Sequence, residues 1–106
     1  MWIVAKIKTK DLNIFKENLI KRLGKDIKFY APKIKYNICN GNKVATREKY
    51  LLENYIFCYH ENLKKSPNLI GCNFIKGLEY FLKGCYQNQK EIVNFINYCQ
   101  SFENDE

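Results

Sequence analysis

The sequence has no long hydrophobic run, and this absence limits where the protein is expected to work. Its apolar stretches span only a few residues, whereas a helix that crosses a bilayer needs about 20. The first residues, MWIVAKIKTK, lack the apolar region and the cleavage site of a secretory signal. We therefore expect a cytosolic protein that does not associate with membranes.

Closely paired ligands for a metal ion or a disulfide framework are also missing. The sequence contains one histidine, His60, and five cysteines: Cys39, Cys58, Cys72, Cys85 and Cys99. Because the number is odd and no CxxC pair occurs, we expect reduced cysteines packed as small apolar side chains, with no metal or other cofactor. Cys58 and His60 would share one face of a strand, but no third group is evident that would orient them for catalysis. An enzyme is therefore the least favoured hypothesis.

Negative charge is scarce as well. Eighteen Lys and Arg residues oppose eleven Asp and Glu residues, which gives a formal net charge of +7, although the tail FENDE is acidic. Such a chain either has a solvated cationic surface or works near nucleic acid, whose phosphates attract scattered cations. Its 106 residues, 46% of them hydrophobic, suffice for a core of their own, and we expect one domain over residues 1–106.

The first elements are predicted to be a strand and a helix. Residues 2–8, WIVAKIK, alternate as a strand does. TKDL then opens a helix, with Thr9 as its N-cap and Asp11 in its first turn. The helix ends at Gly24, a common C-terminal signal. Its buried stripe is predicted to consist of Leu12, Phe15, Leu19, Ile20 and Leu23.

A strand and its returning partner follow. Residues 26–38 alternate as a strand that Pro32 interrupts, which marks an edge or a bend. Asn40-Gly41 then predicts a tight hairpin turn. The returning strand runs towards Leu51.

The segment ENYIFCYH, residues 53–60, is predicted to be a strand with two apolar faces. Tyr55, Phe57 and Tyr59 would lie on one face, and the side chains between them on the other. A half-buried strand normally has a polar outer face. The second apolar face must therefore be covered by more of this protein or by a partner.

The last third is predicted to contain a strand and a helix after a loop. Residues 61–73 have room for a short helix, residues 74–84 form a strand that bends at Gly77, and residues 88–99 form a helix. Asn88 with Glu91 makes a start similar to a capping box, and the tail beyond residue 100 loses periodicity. The order of elements predicts an α+β fold in which helices flank an antiparallel sheet of about four strands.

Four segments carry a further signal when they are taken in order: Trp2, FYAP at 29–32, LLENYIFC at 51–58 and IKGLEYFL at 75–82. Together they resemble the N-terminal (NGN) domain of the NusG family of transcription elongation factors. That domain begins with a Trp on the first strand and has an aromatic-x-Pro after the first helix. It continues with a signature close to L-F-P-G-Y-[IVL]-F-V and a Gly-Val turn before an aromatic strand. The positions that match these last two features are Leu51, Leu52, Asn54, Tyr55, Ile56, Phe57, Gly77, Leu78, Tyr80 and Phe81.

The chain departs from the family pattern in two ways. Glu53-Asn54 stands where the signature has Pro-Gly, and this Asn is similar to the operon-specific, RfaH-like branch of the family. Family members usually continue into a small β-barrel KOW domain, which we expect to be absent from this chain.

The resemblance implies an NGN-type α/β sandwich that binds RNA polymerase as a monomer. In the family, this domain contacts the clamp helices of the β′ subunit and the gate loop of the β subunit. Bridging them holds the clamp closed and suppresses pausing. The factor itself makes and breaks no bond, so the resemblance implies a non-enzymatic elongation or antitermination factor.

The resemblance also implies three groups of contact residues, for the clamp helices, for the gate loop and for upstream or non-template DNA. They are, respectively, Leu51, Leu52, Tyr55 and Phe57; Asn68 and Leu69; and Lys8, Lys10 and Lys76. Each group has a simpler alternative. Aromatic residues on a central strand commonly form the core, the gate-loop pair would be a plain surface turn, and lysines are commonly solvated.

A second function is open from the residues alone, namely binding of single-stranded nucleic acid on the sheet. The positive charge and the eight tyrosines favour it, since bases stack on exposed aromatic rings. The Gly-aromatic signature of RNA-recognition sheets is missing from the sequence.

Overall fold

The computed structural model describes residues 1–64 and 74–103, and these residues form an α+β fold. The strands are β1 (Trp2–Ile7), β2 (Lys28–Tyr30), β3 (Lys33–Asn40), β4 (Lys43–Tyr50), β5 (Tyr55–Tyr59) and β6 (Leu78–Phe81). The α-helices are α1 (Leu12–Leu23) and α2 (Gln89–Glu103), and short 3₁₀ helices lie at Thr9–Asp11, Glu61–Lys64 and Tyr86–Asn88.

Four strands form an antiparallel sheet in the order β2-β5-β1-β6, which confirms the predicted fold class. Residues paired across strands point to the same side of a sheet. One side, the α1 face, carries Ile3, Ala5, Ile7, Phe29, Ile56 and Cys58. The other side, the α2 face, carries Trp2, Val4, Lys6, Tyr30, Tyr55, Phe57, Tyr59 and Tyr80.

Helix α1 covers its face of the sheet with the stripe that the sequence predicts. Phe15 and Leu19 are both fully buried, and the Phe15 ring packs edge-on against Phe29, with 6.5 Å between ring centroids. The helix ends where expected, since the Gly24 N–H donates to the carbonyl of Ile20 at 2.7 Å with Gly24 at a φ of 101°. The bulk of the core therefore lies between α1 and the sheet.

The start of α1 differs from the prediction. Thr9 lies in a 3₁₀ helix before α1, and Asp11 occupies the N-cap position without a side-chain capping bond. The Thr9 hydroxyl instead donates to the side-chain oxygen of Asn54. Thr9 therefore ties the helix start to the segment before β5 rather than capping α1.

The predicted interruption at Pro32 is confirmed, and the strands on its two sides belong to different sheets, because β3 and β4 form a separate two-stranded sheet. Pro32 is buried and separates β2, which joins the main sheet, from β3, which does not. The hairpin turn is confirmed, because Asn40 pairs with Lys43 and Gly41 adopts a φ of 66°. The hairpin lengthens the molecule to 56 Å in one direction, against 29 and 23 Å in the others.

The C-terminal helix starts and ends differently from the prediction. Asn88 lies in the 3₁₀ helix, and its side-chain nitrogen donates to the carbonyl of Gly84 at 2.8 Å, so the expected capping box does not form. Helix α2 continues to Glu103, beyond the predicted end at residue 99. The residues after 100, predicted to be an aperiodic tail, thus supply the last turn of the helix up to Glu103.

Three of the five cysteines are buried as predicted, namely Cys58, Cys85 and Cys99. Cys39 is exposed on β3, which contradicts the expectation of packing for this residue, and Cys72 lies outside the described residues. Burial, followed by the nearby Glu103 carboxylate, raises the pKa of the Cys99 thiol. Within residues 1–64 and 74–103, no helix is long and apolar enough to cross a membrane.

Candidate binding surface at the open end of the sheet

Helix α2 covers the part of the α2 face that surrounds Phe57. The Phe57 side chain is only 4% exposed, and its ring centroid lies 5.7 Å from that of Phe95 on α2 and 6.2 Å from that of Tyr30. Val4, beside Phe57 on β1, is buried as well. The protein therefore covers this part of its second apolar face with its own helix.

Hydrogen bonds fix both ends of α2 on the sheet. The Gln89 side chain accepts from the Trp2 N–H at 2.8 Å and donates to the Trp2 carbonyl at 2.6 Å. At the other end, the Glu103 carboxylate accepts from the Tyr30 hydroxyl at 2.9 Å and from the Lys33 N–H at 2.8 Å. Because these bonds hold the helix over Phe57, we assign Phe57 to the core and not to a contact surface.

The other end of the α2 face carries three residues side by side, which we call the open end: Lys6, Tyr55 and Tyr80. Lys6 pairs with Tyr55 on one neighbouring strand and with Tyr80 on the other. Its Nζ lies 6.0 Å from the Tyr55 ring centroid and 5.6 Å from that of Tyr80. Tyr80 is 47% exposed, and Tyr55 and Lys6 are half-buried. The described side-chain contacts of α2 lie elsewhere on the face, so the open end offers two aromatic rings and a cation to a partner.

A β-bulge places Tyr80 on this face. Lys6 pairs with Tyr80 while Ile7 pairs with Leu78, so Glu79 is the extra residue of the register shift. Without the bulge, Leu78 and Tyr80 would point to the same side of the sheet. The bulge turns Leu78 to the α1 face and leaves Tyr80 on the α2 face.

The side chains around Lys6, at the centre of the open end, favour its charged form. Tyr80, then Tyr55 and then Glu79 raise the pKa of Lys6 above its ordinary value, because negative charge on any of them favours the ammonium form. The Glu79 carboxylate lies 3.7 Å from Lys6 Nζ. Lys6 is therefore a persistent cation between the two rings.

The segment before β5 forms the rim of the open end. Leu51 is 44% exposed, whereas Leu52 is half-buried and packs against the core. Asn54 adopts a left-handed conformation, with a φ of 69°, and its carbonyl accepts from the Ile7 N–H at 2.7 Å. Of the residues predicted to bind a partner, Tyr55 thus keeps some accessible surface at the open end. Leu51 is exposed and donates its N–H to the carbonyl of Pro32 at 2.8 Å, and Leu52 keeps less accessible surface.

Basic residues lie next to the same end. Lys8, Lys10 and Lys76 are all exposed. The Lys8 N–H donates to the carbonyl of Gly77 at 2.9 Å, which brings Lys8 next to the turn that holds Lys76. A Cβ atom at Gly77 would lie 3.0 Å from Asp11 Cβ, so this close approach of the turn to the start of α1 requires glycine.

Not every predicted contact is brought to this surface. Asn68 and Leu69 lie outside the described residues. Conversely, the assignment from the sequence omitted Lys6 and Tyr80. A signal for Lys6 was present, because it alternates with Trp2 and Val4 and so places a cation on an apolar face. Tyr80 could not be placed on that face without knowledge of the bulge.

A cavity of about 800 Å³ lies away from the open end, at the β2 edge of the sheet. It is lined by residues of α1, of the hairpin base and of the end of α2, among them Lys16, Tyr50 and Phe102. Among the residues that the structure describes, no group of three His, Cys, Asp or Glu side chains is placed to hold a metal ion. The lining of the cavity also includes the ionisable side chains of Lys33, Glu48 and Glu103.

Comparison with known proteins adds no family to these observations. No family model matches the chain, and no curated protein is similar enough to count as a match.

Proposed function

We propose that the chain is a NusG-like N-terminal domain that binds RNA polymerase through the open end of its sheet. The observation that carries the proposal is the position of Tyr55, which is half-buried on the stretch of the α2 face that α2 does not cover, with the exposed Tyr80 on the other side of Lys6. Tyr55 matches a clamp-binding position of the family signature, and the exposed Leu51 is a further match to that signature. An accessible aromatic and aliphatic surface is suited to pack against the side of a helical coiled coil. Apolar contacts contribute most to the binding free energy where the interface excludes water.

The backbone at Asn54 supports the alignment with the signature. The family has Gly at this position, and here the residue adopts a φ of 69°. This left-handed region is open to Gly and, among other residues, most readily to Asn. The substitution of Asn for Gly therefore preserves the turn that delivers Tyr55 to the sheet.

In this proposal the domain works without chemistry of its own, as an elongation or antitermination factor in the cytoplasm. The open end contacts the β′ clamp helices, and the surface near Lys8 and Lys76 faces upstream or non-template DNA. Contact with the gate loop of the β subunit would complete the bridge that keeps the clamp closed and suppresses pausing.

A titration of the purified chain with the isolated β′ clamp coiled coil tests the proposal. Leu51→Asp and Tyr80→Ala should each weaken binding by about 2 kcal/mol, or roughly thirtyfold, because each removes accessible apolar surface from the contact. Both side chains are exposed, so circular dichroism should show an intact fold. Leu52→Asp is less informative, because Leu52 packs against the core.

Tyr86→Ala is the matched control, since Tyr86 is 72% exposed in the 3₁₀ helix before α2 and away from the open end. It should leave the affinity unchanged. Absence of binding by the unaltered chain, or equal losses for Tyr80→Ala and Tyr86→Ala, would overturn the proposal.

A second candidate function is binding of single-stranded nucleic acid at the same surface. The arrangement that favours it is Lys6 between the rings of Tyr55 and Tyr80, because bases stack on aromatic rings and cations hold the phosphates. A titration with an oligothymidine strand separates the two candidates. Tight, salt-sensitive binding that Tyr80→Ala abolishes, without affinity for the coiled coil, would favour this second function.

A further inference from the structure

We infer that the β3–β4 hairpin is a second binding site, separate from the open end, and that its ligand is double-stranded DNA. Nothing in the resemblance assigned a role to this hairpin. This site does not depend on the proposed polymerase contact, and the shape and charge of the hairpin point to it.

The hairpin projects from the body of the protein. Its eight residue pairs run in continuous register from Lys33 and Tyr50 at the base to Asn40 and Lys43 at the tip. Every residue from 35 to 49 is exposed. The radius of gyration is 15.8 Å, compared with about 13 Å for a compact chain of this length. A ribbon of eight residues reaches about 26 Å, so both of its faces are available to a ligand along most of that length.

Most of the net positive charge of the chain lies on this ribbon. Five basic residues and one acidic residue give it a net charge of +4, out of +7 for the whole sequence. The basic residues are Lys33, Lys35, Lys43, Arg47 and Lys49, and the acidic residue is Glu48. Lysines on exposed strands also prevent edge-to-edge aggregation. That protection does not require one face of the ribbon to carry cations without any acidic residue, so the distribution of charge between the faces is the more informative feature.

The two faces of the hairpin differ in charge. Glu48 lies on the face that also carries Lys35, and the two side chains form an ion pair at 4.0 Å. The opposite face, which we call the basic face, carries Lys43, Arg47 and Lys49, and no acidic residue shares it. An extended row of cations without counter-charge is complementary to a phosphate backbone.

The basic face also carries apolar groups that suit a groove rather than a simple ionic contact. Tyr36 and Ile38 are 40% and 39% exposed and lie between the cations. Lys49 Nζ sits 5.5 Å from the Tyr36 ring centroid, which orders the lysine along the ribbon. The major groove of B-form DNA, about 12 Å wide, admits a two-stranded β-ribbon and exposes thymine methyl groups to apolar side chains. The major groove of duplex RNA is too deep and narrow for side chains to read, so the ribbon fits DNA.

Fluorescence anisotropy with a labelled DNA duplex of mixed sequence and roughly 20 base pairs, at several salt concentrations, tests the inference. The test variant combines Lys43→Gln, Arg47→Gln and Lys49→Gln. We expect at least about a tenfold loss of affinity, and a slope of log K against log salt that is shallower by about 2 to 3, since each phosphate contact contributes about 0.9. The control combines Lys21→Gln, Arg22→Gln and Lys25→Gln, which removes the same residue types at exposed positions around the end of α1.

The control variant should keep the affinity within about threefold of the unaltered chain. Equal losses for the two variants would overturn the inference, because binding would then follow total charge. Preference for a single strand or for an RNA duplex, or equal competition by polyglutamate of matched charge, would overturn it too. Binding of the hairpin variant to the clamp coiled coil should be unchanged, so failure here is distinguishable from failure of the polymerase proposal.

Discussion

The two ends of the α2 face are built on the same strands and differ in what covers them. Around Phe57, helix α2 supplies Phe95 and is fixed by hydrogen bonds from Gln89 and Glu103. Around Lys6, the rings of Tyr55 and Tyr80 keep accessible surface. Two aromatic residues only two positions apart on one strand, Phe57 and Tyr55, can thus differ in burial, and the path of α2 decides which of them is covered.

The largest expected effect is a difference in the free energy of unfolding between variants at the two ends of the α2 face. Phe57→Ala should lower the free energy of unfolding by about 3 to 5 kcal/mol, because it leaves a cavity beneath α2. Tyr80→Ala should lower it by less than about 1 kcal/mol, because almost half of that side chain is already in solvent. Urea denaturation measures both changes, and similar values for the two variants would break the comparison.

The next largest loss of stability is expected at Gly77, in the turn that packs against the start of α1. Gly77→Ala should lower the free energy of unfolding by about 2 kcal/mol or more, because the residue has a φ of 92° and its Cβ would meet the backbone oxygen of Asp11 at 3.0 Å. Gly24→Ala is the control, since Gly24 has a φ of 101° and no heavy atom would lie within 4 Å of its Cβ. Equal losses would mean that the contact with α1 contributes nothing beyond backbone strain.

A smaller loss of stability is expected when the hydrogen bond between Tyr30 and Glu103, which fixes α2 over Phe57, is removed. Tyr30→Phe should cost about 1.5 kcal/mol at neutral pH, since it removes a hydrogen bond to the Glu103 carboxylate. Burial, followed by that bond, raises the pKa of Tyr30 well above its ordinary value. The neutral phenol is thus favoured in the folded state, so its contribution is complete below a pH of about 10 and is lost as the pH rises further.

Urea denaturation at neutral pH and at a pH of about 11 checks the sign of this linkage. The unaltered chain should lose more stability between the two conditions than Tyr30→Phe loses. An identical loss would show that ionisation of Tyr30 is not linked to folding.

The smallest effect is electrostatic and lies at the open end. Tyr80→Phe should lower the pKa of Lys6 towards its ordinary value, and by more than Glu79→Gln does, because Tyr80 makes the largest contribution to the upward shift. Nuclear magnetic resonance of the Lys6 side chain during a pH titration measures both changes. A pKa that stays the same in Tyr80→Phe would contradict the placement of Lys6 beside that ring.

Local patterns predicted several elements, although the last strand, predicted over residues 74–84, spans only Leu78–Phe81. The helical stripe ending at Gly24, the turn at Asn40-Gly41 and the strand at Tyr55–Tyr59 all follow from spacing and turn chemistry. These signals depend on neighbours in the sequence, so a single chain suffices to detect them.

The features that define the candidate surface depend on distant contacts instead. The bulge at Glu79 arises from the pairing of β6 with β1, and the extension of α2 to Glu103 places the carboxylate that accepts from Tyr30 and Lys33. No local pattern reveals such pairs, which lie about 70 residues apart in the chain. The sequence therefore predicted that Tyr55, Phe57 and Tyr59 share one face of β5, but not which of them the protein covers.

Chemical-shift mapping by nuclear magnetic resonance tests the account most directly, with the isolated β′ clamp coiled coil added to the labelled chain. The account predicts that the largest changes occur at Leu51, Tyr55 and Tyr80, with little change at Val93 and Tyr98 on the outer side of α2. Changes that are largest on α2 or on the hairpin, or no changes at all, would contradict it.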